Sequence, residues 1–109
     1  MAMHIYRVTV RGRFGDLATS TRDALLATVD DHDFIYARFT PDGTLAYDAA
    51  LGHFTFRYEL RVLDEDGDDA DNVACDWARA LAADALAGWG IAHGKLRVQA
   101  TDMADVWKD

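Results

Sequence analysis

Between His53 and Leu63 apolar and polar residues alternate without a break: Phe54, Phe56, Tyr58, Leu60 and Val62 on one parity, His53, Thr55, Arg57, Glu59 and Arg61 on the other. A repeat of two residues fits the pleat of a β-strand and not the turn of a helix, so the segment reads as a strand with one buried and one polar face. The same alternation opens the chain. From His4 to Phe14 the even positions are His4, Tyr6, Val8, Val10, Gly12 and Phe14, and the odd ones are Ile5, Arg7, Thr9, Arg11 and Arg13. Lys95 to Thr101 repeats the pattern, with Leu96, Val98 and Ala100 inward and Lys95, Arg97, Gln99 and Thr101 outward. Strands of this kind belong to antiparallel sheets that press one face on a core.

The segments between them supply helices. Ser20-Thr21-Arg22-Asp23 resembles a capping box, predicting a helix from about Thr21 to Asp31 that buries Leu25, Leu26 and Val29. Asp30-Asp31-His32-Asp33 ends it with the wrong charge for the helix dipole. Phe34 to Thr40 reads as a second strand, Pro41-Asp42-Gly43 as a turn, and Thr44 to Asp48 as a short returning strand. An acidic loop over Asp64 to Asp71 leads into an alanine-rich helix ending near Trp89, with Val73, Trp77 and Leu81 spaced to line one face. Gly88 and Gly90 offer its terminator, and Trp107 is expected to dock on the domain or a partner.

The order β, α, β, short β, β, α, β predicts an α+β fold on the ferredoxin-like split βαβ plan. That plan has a four- to five-stranded antiparallel sheet with two helices on one face; whether the hairpin over Phe34 to Asp48 adds the fifth strand is open. At 109 residues the chain fits one domain, 1–109. A lone cysteine, Cys75, excludes a disulfide framework and favours a reducing compartment, so the expected location is cytoplasmic. No apolar stretch of signal-peptide or membrane-span length is present, so neither secretion nor membrane insertion is expected.

Charge gives the functional lead. The formal net charge is −8, yet Arg7, Arg11, Arg13, Arg38, Arg57, Arg61, Lys95 and Arg97, eight of the 11 cationic residues, fall in segments read as strands. Most share the outward parity, which predicts a cationic sheet face on an acidic protein. Guanidinium forks match carboxylate, phosphate or enolate oxygens bidentately. The ligand-binding candidates are therefore Arg11, Arg57 and Arg97, with Arg7 and Thr55 beside them, and the proton-transfer candidates are His53 and Tyr47. RNA-binding domains of this plan carry stacking aromatics on the middle strands, whereas here the outward positions are Thr55, Arg57 and Glu59, so nucleic acid is not expected.

Other motifs are weak. Asp30, Asp31, His32 and Asp33 are adjacent in one turn and cannot all converge on an ion. Asp64, Asp66 and Asp68 mimic a calcium loop, but Gly67 is misplaced and no glutamate closes the frame. Gly12 and Gly15 lack dinucleotide-loop spacing, and Cys75 reads as a small hydrophobe rather than a nucleophile. No metal site and no cofactor is expected.

Tyr6 to Phe14, Phe39 to Asp48 with Phe54 to Tyr58, and Ala100 to Met103 together resemble a family of small actinobacterial proteins of unknown function. The similarity spans nearly the whole chain; it implies a bacterial, intracellular protein and transfers no catalytic residue. A looser likeness of architecture alone links the chain to dimeric α+β barrel proteins, including cofactor-independent monooxygenases and cyclases of aromatic polyketide pathways. The resulting expectation is a homodimer holding an anionic or enolic small molecule against the arginine-bearing face, with a cofactor-free tailoring enzyme as one form of it. Two rivals use the same residues: a protein-interaction module without a cavity, and a purely structural dimer with arginines paired to acids across the two-fold axis.

Overall fold

The structure, a computed structural model, describes residues 3–63 and 69–103. Its elements are β1 (Met3–Arg13), α1 (Thr19–Ala27), a 3-10 turn over Val29–His32, β2 (Thr44–Tyr47), β3 (His53–Leu63), α2 (Ala70–Gly88) and β4 (Arg97–Asp102). The four strands form one antiparallel sheet in the order β2-β3-β1-β4. β1 is paired over its full length with β3, from Met3 opposite Leu63 to Arg13 opposite His53. This register puts Tyr6, Val8 and Val10 on the same face as Phe54, Phe56, Tyr58, Leu60 and Val62, and all are buried. The period-two parities of the sequence thus become the two faces of the sheet.

Both helices lie on the apolar side. α2 packs against β1, β3 and β4, and Leu25 of α1 joins the same core. The buried stripe of α2 is Ala70, Ala74, Ala78, Ala82 and Leu86, one residue, or about 100° around the helix, out of phase with the expected Val73, Trp77 and Leu81. Val73 and Trp77 are exposed, Trp77 by 45 %. The reason is volume: β1 and β3 already present four rings, Tyr6, Phe54, Phe56 and Tyr58, so a stripe made mostly of methyl side chains lets the helix axis approach closely enough to leave no void. Hydrophobic spacing alone does not weigh size.

The segment from Phe34 to Thr40 is not a strand, so the sheet has four members and the hairpin over Phe34 to Asp48 adds no fifth. The Asp33 carboxylate accepts the Ile35 amide at 3.0 Å, and the Tyr36 amide bonds to the Asp33 carbonyl at 3.1 Å, a turn that competes with extended backbone. Thr40 then bridges β3 in parallel at Tyr58, and Thr40 to Gly43 close a turn with Gly43 at φ +85°. The turn expected at Pro41-Asp42-Gly43 is therefore present, but it joins an edge bridge to β2 rather than two hairpin strands. A side chain at Gly43 would also run into the Tyr58 ring.

Helix α1 starts at Thr19 with Ala18 at its N-cap and has no side-chain cap, so the Ser20 box does not form; Ser20 lies inside the first turn. Of its expected buried residues Leu25 is buried, Val29 is half-buried in the following 3-10 turn, and Leu26 is exposed. The terminator of α2 is specific. Gly90, at φ +67°, donates to the Ala87 carbonyl at 3.1 Å, and Ile91 donates to the Leu86 carbonyl at 2.9 Å, with Ile91 and Leu86 both buried. Those two bonds and that apolar contact define a Schellman cap, which needs the left-handed residue that glycine supplies. Trp107 and most of the acidic loop over Asp64 to Asp71 lie outside the described residues.

Two measurements check this packing. Ala78→Leu is expected to cost about 1–3 kcal/mol by overfilling the helix–sheet contact, while Trp77→Ala costs less than about 1 kcal/mol, as read from urea unfolding; the reverse ranking would place the helix on its other face. Tyr58, fully buried, has its phenol pushed up to about 12 by desolvation. Its folded value lies above the unfolded one, so the stabilisation is complete below about pH 10 and is lost as pH rises from there through 12, with one proton released on unfolding. Tyr58→Phe should flatten that alkaline loss.

Candidate functional site

The polar face is built from the odd positions of β1 and β3 and from Arg97, Gln99 and Thr101 of β4. In register, Arg13 stands opposite His53; Arg11 opposite Thr55 on one side and Arg97 on the other; Thr9 opposite Arg57 and Gln99; and Arg7 opposite Glu59 and Thr101. Seven cations, Arg7, Arg11, Arg13, Arg57, Arg61, Lys95 and Arg97, share this side with one strand acid, Glu59. The face divides into two halves with different fates.

Towards the β2 edge the face is roofed by its own chain. Arg57 donates from one guanidinium nitrogen to the carbonyls of Phe34 and Ala37 at 2.9 and 2.6 Å. The guanidinium carbons of Arg57 and Arg7 lie 5.9 and 5.3 Å from the centre of the Phe39 ring, within cation–π range. Arg7 also pairs with Glu59 at 3.6 Å. Thr55, although of outward parity, is only 8 % exposed, and Ala46 beside it is buried. The residues 34–39 thus form a strap across this half, carrying Ile35 and Tyr36 exposed at its outer side by 82 % and 76 %. Arg57 and Arg7 are bound to this strap.

Towards β4 the face is open and forms a cavity of about 860 Å³. Arg11, Arg13, Lys95 and Arg97 line it, with His53 at one end and Thr9 and Gln99 at the other. Arg11, Lys95 and Arg97 have no carboxylate or carbonyl partner among the described residues, and no acid lines the cavity. Like charges directly opposite one another across two strands repel, and Arg11 and Arg97 are such a pair. Arg13 Nε donates to His53 Nε2 at 3.1 Å, which leaves the proton of the neutral imidazole on Nδ1.

The two proton-transfer candidates are on opposite sides of the sheet. His53 borders the cavity, whereas Tyr47 is 1 % exposed in the core, where its hydroxyl donates to the Leu25 carbonyl at 2.7 Å and its ring stacks on His32 at 4.9 Å. Tyr47 shares parity with Phe54 through the β2–β3 register, so the sheet itself separates it from Arg11. His4 bonds to Asp102 at 2.9 Å, and His32 to the Leu45 carbonyl at 2.8 Å. Among the described residues no three His, Cys, Asp or Glu side chains gather as a metal site. The Cys75 thiol is pushed up, first by burial and then by Asp71 and Asp76 against a lowering from Arg79, so it stays protonated at neutral pH, the opposite of an activated nucleophile.

Arg13 and Lys95 belong to the cavity although the first choices from sequence were Arg11, Arg57 and Arg97. Parity could have found both, since Arg13 follows Arg11 on the same face and Lys95 precedes Arg97. The strap had no signal in the alternation, because Phe39 is held by groups that are distant in sequence.

The site therefore defines an α+β protein with a cationic, partly roofed sheet face. Residues 1–108 match a family described as a family of unknown function, DUF6204, and the chain belongs to that family. Comparison with the curated proteins and with the solved structures returns no match. No helix among the described residues is long and apolar enough to cross a membrane.

Relief of the Arg11–Arg97 repulsion is measurable. Arg97→Gln is expected to raise Tm by about 1–5 °C in low-salt buffer, and the gain should shrink as sodium chloride screens the pair; an unchanged or lower Tm would mean that the two guanidinium groups do not oppose each other.

Proposed function

We propose that this protein binds an anionic small molecule in the cavity between β1 and β4. The observation that carries the reading is the Arg11–Arg97 pair, flanked by Arg13 and Lys95, in a concavity that no acid among the described residues lines. Guanidinium forks placed this way take carboxylate, enolate or phosphate oxygens, and the volume is that of small-molecule sites. His53 is the group positioned to exchange a proton with such a ligand, so any catalysis would fall to it and not to Tyr47. Arg57 and Arg7 act at one remove, fixing the strap that bounds the site, and Thr55 is buried beside Arg11.

The ferredoxin-like plan is part of the same reading. Strand order β2-β3-β1-β4, fully antiparallel, with a helix after β1 and another after β3, supports it. So is the homodimer. Two copies closing face to face would set like charges against each other, so the dimer is proposed to be the anion-loaded form. A single cysteine supports a cytoplasmic location. Protein–protein contact is the second reading, favoured by the exposure of Ile35 and Tyr36 on the strap.

Charge reversal tests the leading reading. Arg97→Glu should abolish the binding of inorganic phosphate measured by calorimetry while the circular dichroism spectrum is kept; binding that survives the reversal unchanged would remove the cavity as the site.

A further inference from the structure

From the arrangement of charge along the cavity we infer that its ligand is multiply charged, a compact phosphoryl head of two or more negative charges joined to a neutral, hydrogen-bonding body. The inference rests on the anion-binding reading above and specifies its ligand. A single carboxylate is satisfied by one guanidinium fork. Here Arg11, Arg13, Lys95 and Arg97 line the same end of one cavity, and a monoanion would leave most of that charge uncompensated. Opposite residues of an antiparallel pair are about 4.5–5.5 Å apart and alternate residues of one strand about 6.8 Å apart, a spacing that lets several forks reach the oxygens of one or two phosphoryl groups.

One step along the strands the chemistry changes. Thr9 and Gln99 stand opposite each other beside the Arg11–Arg97 row, and both line the cavity. A hydroxyl and a carboxamide present donors and acceptors without charge, suited to hydroxyl or amide groups rather than to a second anion. The cavity, about 860 Å³, also has room for a body beyond a bare phosphate. Beyond Thr9 the strap closes the way, with Arg57 committed to the carbonyls of Phe34 and Ala37. The cationic end and the neutral end are therefore in fixed order: head over Arg11 and Arg97, body towards Thr9 and Gln99.

The test compares pyrophosphate, phosphate and acetate by calorimetry with the full chain at matched ionic strength and neutral pH. Pyrophosphate is expected to bind about tenfold or more tighter than acetate, with phosphate between them and with the steeper salt dependence on pyrophosphate. Lys95→Gln and Arg97→Gln, each with an unaltered circular dichroism spectrum, should lower pyrophosphate affinity about tenfold, a larger factor than either costs acetate. Acetate binding as tightly as pyrophosphate would overturn the multiply charged ligand and leave the anion site standing. Absence of binding by all three probes would overturn both.

Discussion

The structure depends on β1 being held in a single register by two antiparallel neighbours. β3 pairs with all of it and β4 with its middle, Tyr6 to Arg11, so one residue's slip on either side would carry Tyr6, Val8 and Val10 to the wrong face and set arginines against α2. That penalty fixes both faces at once. The core and the cationic surface are not separate achievements of the sequence; they are the two parities of the same strands, and neither can be shifted without the other.

The division of bulk across the helix–sheet contact follows from this. Rings stand on the sheet and methyl groups on α2, so the helix sits close and its larger apolar residues, Val73 and Trp77, are left outside. The Schellman cap at Gly90 then stops the helix sharply and turns the chain back towards β4, which brings Lys95 and Arg97 alongside Arg11 and Arg13. A terminator on the far side of the sheet thus helps to assemble the charged cavity.

Much of this was legible in the alternation. Three strands, their inward and outward residues and the acidic surroundings of a basic face follow from a two-residue repeat and a charge count. What escaped was anything requiring comparison between elements. The phase of α2 depends on ring volume in strands far away in sequence, the fate of Phe34 to Thr40 on a turn at Asp33 and on the Arg57 side chain, and the pairing of Arg11 with Arg97 on a register that parity does not supply. Parity alone makes one field of the arginines; in the folded chain Arg57 and Arg7 hold the strap while Arg11, Arg13 and Arg97 line the cavity.

Arg57 shows what that division means. By binding the carbonyls of Phe34 and Ala37 it converts one half of an otherwise continuous basic surface into a wall, with the cavity lying on the side towards β4. Sequence change in residues 34–39 can therefore alter the shape and apolar character of the entrance without touching the guanidinium groups of Arg11 and Arg97, and change around Lys95 can retune the charge without loosening the wall. The outline of the cavity and its charge are thus set by separate segments of the chain, along two independent axes of one unaltered scaffold.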